Sequence, residues 1–160
     1  MKQIIGIADM KVSSNTDDVL ITYALGSCLG IAVYDPLAKV GGLLHVMLPI
    51  SSVNPTKAME NPMMFVDTGV PALFKECYKA GGKKERLTVK VAGGASLQHS
   101  ENADQFMIGK RNFLMLKKLL WKNNVLIQAW DVGDRHSRTM WLDIATGDVT
   151  LKINNLETKL

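Results

Sequence analysis

The sequence predicts an α+β fold: a layered sandwich of mixed, largely antiparallel sheet with about two helices packed on one side. Two observations point there. β-branched and aromatic runs recur, adjacent to one another in the chain, between breaks of Gly, Pro, Asn and Asp, about eight in all. Only two stretches carry apolar residues at helical spacing.

In chain order, the β-branched run at 3–8 predicts a short strand, and Asn15–Thr16–Asp17–Asp18 a polar turn. Val19–Ala24 is a strand by its β-branched and aromatic content. A turn at Gly26 leads into a third strand, 28–34, which Asp35–Pro36 breaks because proline cannot continue a central strand. A fourth covers 40–48 and stops at Pro49. Residues 50–65 have no period and form the longest irregular stretch, a lid, a binding element or a passive surface loop. A helix follows over 70–80, with Val70, Leu73, Phe74, Cys77 and Tyr78 on one face. Asp67 or Thr68 is placed to cap it, Pro71 fits its first turn, and Gly81–Gly82 ends it. Cys77 on that stripe reads as a small hydrophobe.

Leu87, Val89 and Val91 alternate with Thr88 and Lys90, a strand with one wet face that runs into Gly93–Gly94–Ala95–Ser96. That glycine pair lacks the lysine and helix of a phosphate loop. It reads as a sharp turn or a close backbone approach to an active site. A second helix starts near Arg111–Asn112, capped by Asn112, carries Phe113, Leu116 and Leu120, and ends at Asn123–Asn124. A strand at 125–130 and a hairpin of 138–144 with 148–153 complete the chain. No internal repeat or linker interrupts it, so residues 1–160 read as one domain.

With 47% hydrophobic and 21% charged residues, the 160-residue chain has a globular composition. No apolar run approaches the roughly 20 residues of a spanning helix, and Ile4–Ala8 is too short for a signal-peptide core. The expectation is a cytoplasmic protein with no membrane insertion. Two cysteines are too few for a disulfide framework. The formal charge of +4 is scattered, densest at Lys83–Lys84 with Arg86, and no basic run is interleaved with aromatics. That pattern argues against nucleic acid and fits an acidic protein partner better.

The chemistry centres on Cys28 and His45. If strands 28–34 and 39–48 pair over a four-residue loop at Asp35–Ala38, Tyr34 faces Lys39 and Cys28 faces His45, with β-carbons about 4.5–5.5 Å apart. A one-residue slip would put His45 on the other face, and on spacing alone such a pair is more often core than a dyad. An imidazole beside a thiol favours the nucleophilic thiolate and supplies a proton to the leaving group. Thr22 is a neutral candidate for orienting the histidine, and the backbone N–H groups of Gly26–Ser27–Cys28 for stabilising an oxyanion. Cys28, His45, His99 and His136 lack the paired short spacing of metal ligands, and His99 and His136 lie in polar stretches that predict exposure. Asp131 with Asp134, and Glu101 with Asp104, lack the surroundings of a carboxylate mechanism.

Leu25–Gly26–Ser27–Cys28, Asp35–Pro36 and Gly41–Gly42–Leu43–Leu44–His45–Val46–Met47–Leu48–Pro49 resemble the CheD family of chemoreceptor glutamine deamidases. Asp67–Thr68, Ala92–Gly93–Gly94–Ala95, Ile108–Gly109 with Arg111–Asn112, and Asp131-x-Gly133 resemble its later motifs in order and spacing, so the likeness spans residues 4 to about 153. The resemblance implies a cysteine-hydrolase-like deamidase fold with Cys28 as nucleophile, His45 as base and Thr22 orienting His45, and makes Gly26 and Ser27 substrate-facing or oxyanion-turn residues. It implies glutamines on the cytoplasmic helices of chemotaxis receptors as substrates, a CheC-type phosphatase as partner, and no metal or organic cofactor. An alternative is a regulatory module for that phosphatase, with the cysteine site used for docking. One departure is Gly133–Asp134, where the family often has paired glycines.

Overall fold

The computed structural model describes residues 1–96 and 107–160. The sequence readings of His99, Glu101 and Asp104 fall outside these residues.

Two five-stranded sheets stack face to face, with helices on the far side of one of them. The first strand, β1 (Lys2–Ile4), pairs in parallel with β3 (Val19–Leu25). Between them β2 (Asp9–Ser13) belongs to the other sheet, so the single strand expected over 3–8 is shorter and is followed by a second that the sequence reading missed. Strands β4 (Leu29–Asp35) and β5 (Val40–Val46) form the predicted hairpin. Residues 50–65 are not structureless: two 3₁₀ turns flank helix α1 (Pro55–Glu60), whose Asn54 side chain accepts from the Lys57 N–H.

Helix α2 (Val66–Lys79) starts one turn earlier than its apolar stripe suggests. Neither predicted cap serves. Asp67 instead accepts from the N–H and hydroxyl of Ser51, at 2.9 and 2.8 Å, and Thr68 donates to Pro62 O. Strand β6 (Thr88–Gly93) is joined to the parallel β7 (Ile127–Val132) through helix α3 (Ile108–Lys122), the crossover that a parallel pair requires. Asn112 lies inside α3, fully buried, and does not cap it. Strands β8 (Arg138–Asp143) and β9 (Val149–Ile153) form the expected hairpin, and a further strand, β10 (Leu156–Lys159), pairs with β9.

One sheet runs β1-β3-β8-β9-β10 and the other β2-β5-β4-β6-β7. Strand alternation assigns residues to layers. Leu29, Ile31, Val33, Leu44 and Val46 join Leu73, Cys77 and Leu116 between the second sheet and its helices. Ala32, Tyr34 and Leu43 join Leu20, Leu25, Met140 and Leu142 between the two sheets. Each fully buried Leu, Ile or Val in these layers contributes about 1.5–3 kcal/mol.

The β4–β5 register differs from the predicted one by two residues: Tyr34 faces Gly41 and Gly30 faces His45. Asp35 stays in the strand because its buried carboxylate is gripped. It accepts from the N–H groups of Leu37, Ala38 and Lys83 and pairs with Arg86 at 2.9 Å. Burial alone would raise this carboxyl, but Arg86 and the three N–H groups outweigh that and hold it well below the usual carboxylate range. The loop therefore starts at Pro36 and closes through Lys39 at φ +55°. Both strand ends move by one residue, so His45 keeps its face.

Candidate active site

His45 occupies the interior of β5, hydrogen-bonded on one side to β2 and on the other to β4, and points into the layer between the sheets. It is fully buried. The residue opposite is Gly30, and the fit there is tight: a β-carbon at Gly30 would lie 2.7 Å from Met140 Sδ and 2.8 Å from Leu25 Cδ1.

Across the layer, β3 supplies Thr22, also fully buried. Its Oγ1 is 2.7 Å from His45 Nδ1 and 2.8 Å from the Ile5 carbonyl oxygen. A carbonyl can only accept, so the single hydroxyl proton goes to Ile5 and the threonine oxygen accepts from His45. Nδ1 therefore carries the ring proton, and Nε2 keeps its lone pair. That nitrogen is buried with no hydrogen-bond partner among the described residues.

Immediately after Thr22, β3 bulges. Thr22 faces Met140 but Leu25 faces Arg138, one residue more on β3 than on β8, with Ala24 at φ +56°. The extra residue reverses the alternation, so Leu25 is buried where a regular strand would have exposed it. It also aims the following turn, Gly26–Ser27–Cys28, at the end of the sheet interface. Gly26 is buried, Ser27 and Cys28 are half-buried, and Cys28 packs against the inter-sheet core.

Three successive carbonyls of this turn are held. Gly26 O accepts from the Ala95 N–H at 2.8 Å, Ser27 O from Asn112 Nδ2 at 3.0 Å, and Cys28 O from the Gly94 N–H at 2.9 Å. The glycine pair thus makes the close backbone approach that its sequence suggested, and the backbone it meets is that of Cys28. A β-carbon at Gly93, where φ is +112°, would sit 2.2 Å from Cys28 O. Behind it, buried Arg138 donates to Gly93 O and Gly133 O and pairs with Asp131 at 2.9 Å. Asp134 takes φ +59°, a conformation open to glycine and tolerated by Asp, and its carbonyl accepts from the Ser96 N–H.

The electrostatics correct one expectation. Burial pushes the Cys28 thiol up, opposed by a backbone hydrogen bond at Cys28 itself, and burial alone pulls His45 down to about 4. Near neutral pH both groups are uncharged, so His45 suits removal of a proton during attack better than a standing thiolate–imidazolium pair. Cys77, fully buried on α2, is pushed up to about 12, first by burial and then by Glu76. His136 is partly buried, not exposed. Among the described residues no three His, Cys, Asp or Glu side chains are grouped to hold a metal, and no helix is long and apolar enough to cross a membrane.

The sequence reading singled out Cys28, His45, Thr22, Gly26 and Ser27. It missed Asn112 and Arg138, whose signal was a polar residue amid an apolar helix stripe and a charge at a strand start.

A family model described as CheD chemotactic sensory transduction matches residues 47–153. A protein of Syntrophus aciditrophicus called probable chemoreceptor glutamine deamidase CheD 1 is 53% identical over 149 residues, 93% of this chain and 92% of that protein. Probable chemoreceptor glutamine deamidases CheD of Solibacter usitatus and Pyrococcus abyssi are 45% and 40% identical. They align with 100% and 92% of this chain, and with 94% and 89% of their own lengths.

Proposed function

This chain belongs to the CheD family, and we propose that it is a glutamine deamidase acting on the cytoplasmic helices of chemotaxis receptors. The observation that carries the mechanism is the bare, buried Nε2 of His45, whose tautomer Thr22 dictates, on the strand whose register puts Gly30, two residues after Cys28, opposite His45.

In the proposed reaction, His45 Nε2 takes the Cys28 proton as the sulfur attacks the side-chain carbonyl carbon of a glutamine. In this reading the oxyanion is held by N–H groups of the Gly26–Ser27–Cys28 turn, of which those of Ser27 and Cys28 belong to the peptides whose Gly26 and Ser27 carbonyls are anchored. Collapse breaks the C–N bond, and the proton on Nε2 passes to the leaving nitrogen, which departs as ammonia. His45 then takes a proton from water as the oxygen attacks the thioester. The C–S bond breaks, glutamate leaves, and the thiol recovers its proton. Thr22 holds the ring in place throughout and stabilises the transient imidazolium by accepting from Nδ1.

The test is mass spectrometry of a receptor cytoplasmic fragment incubated with the wild type and with Cys28→Ala. A gain of one dalton at selected glutamines, absent with the variant, is expected. No gain with wild type, or an equal gain with the variant, overturns the reading. The finer reading includes a CheC-type phosphatase as partner and a cytoplasmic location. Phosphatase stimulation that survives Cys28→Ala while no glutamine changes would favour a docking role for the site.

A further inference from the structure

We infer that Asn112 is a positioning residue that sets the nucleophile turn and the end of the histidine strand at a fixed separation. The inference rests on the deamidase reading for its substrate but not for its geometry. One nitrogen, Asn112 Nδ2, donates both of its protons: to Ser27 O and to Met47 O, each at 3.0 Å. Ser27 precedes the cysteine, and Met47 lies two residues beyond His45. A single planar amide from α3 therefore joins the two backbone segments that carry the pair.

The bond to Ser27 O does more than tether. Ser27 C=O and Cys28 N–H belong to one planar trans peptide and point in opposite directions. Holding the carbonyl toward α3 turns the Cys28 N–H away from α3, to the side on which an oxyanion next to Cys28 would form. Gly94 and Ala95 hold the peptides on either side through backbone bonds. Only the middle one depends on a side chain.

Asn112 is an expensive choice for packing. Asparagine is a poor residue for a helix interior, and this one is fully buried with Oδ1 lacking a partner among the described residues. A leucine of similar size would spare that oxygen but leave Ser27 O and Met47 O without the protons they accept here. The gain from the amide is geometric: two aligned donors at a distance that neither the sheet nor the helix would otherwise enforce.

The test is Asn112→Leu in the full chain, read in two ways. The first is glutamine deamidation on a receptor fragment, corrected for the folded fraction. The expected result is a fall in kcat of about 10²-fold with KM changed by less than about threefold, the scale of a misplaced reacting group or a lost oxyanion donor. The second needs no substrate: alkylation of Cys28 by iodoacetamide across pH, with His45→Gln as reference. The His45-dependent part of the wild-type rate should be lost in Asn112→Leu. Wild-type kcat per folded molecule together with a wild-type alkylation profile overturns the inference. If wild type deamidates nothing, the substrate reading fails and alkylation alone decides Asn112. Should Asn112→Leu not fold, Asn112→Ser, with one donor in place of two, carries both measurements, with a smaller loss expected and wild-type values again overturning it.

Discussion

Thr22 Oγ1 lies 2.7 Å from His45 Nδ1, yet its only proton is directed at the Ile5 carbonyl. The threonine is thus an acceptor toward the ring, doing without charge what a carboxylate does in other hydrolytic sites. A neutral partner suits this layer, where a buried carboxylate would need a compensating cation.

The hydroxyl, not the shape, is what Thr22 contributes. Thr22→Val, nearly isosteric, is expected to lower kcat about 10–100-fold, the scale seen when the hydrogen-bond partner of a metal-bound histidine is removed. Thr22→Ser should retain most of the rate. Nitrogen NMR of His45 would show the Nδ1–H tautomer in wild type and a mixture in Thr22→Val. An unchanged tautomer in the valine variant would contradict the assignment.

Burial of His45 makes stability depend on pH with a definite sign. The unfolded chain binds this proton near the ordinary 6.5, and the folded protein only near 4. Between those values the unfolded state binds more protons, so stability falls as pH drops from 6.5 to 4, by about 3 kcal/mol at most for this group. Denaturant melts of wild type and His45→Gln over that range should show the slope reduced in the variant. The same depressed value places the acid limb of kcat/KM near pH 4 instead of 6.5.

Gly93 and Gly133 both have positive φ, at +112° and +95°, but only Gly93 faces an obstacle. Gly133→Ala meets nothing within 4 Å and should cost only the backbone strain of about 1–3 kcal/mol. Gly93→Ala would drive its β-carbon into Cys28 O, displacing the nucleophile turn. Deamidase activity per folded molecule should collapse in Gly93→Ala and stay near wild type in Gly133→Ala. Equal activities would show that the approach of Gly93 to Cys28 is dispensable.

The strands around the site were legible because their signals are local. Val19–Leu25, Leu29–Asp35 and Val40–Val46 are β-branched or apolar runs, with Gly26 after the first, Pro36 after the second and Pro49 three residues beyond the third. The hairpin itself was legible too, but its register moved by two residues and loop length left the face of His45 open, because a gripped Asp35 carboxylate cannot be read from loop length. Helix α3 was mis-started for a related reason. Asn112 carries the composition of a cap, and only its contacts with Ser27 and Met47 show that it is a buried tether.

The sequence by itself determined the α+β class, the two long helices and the turn before Cys28. Each follows from periodicity and turn chemistry within a few residues. Only the tertiary structure decided which threonine atom meets which histidine nitrogen, that burial leaves both Cys28 and His45 uncharged, and that Gly93, Gly94 and Asn112 converge on the nucleophile turn. These depend on segments as far apart as Ile5, Thr22, His45 and Asn112, brought together by the stacking of two sheets and a helix. Short-range patterns carry no information about distances across such a stack.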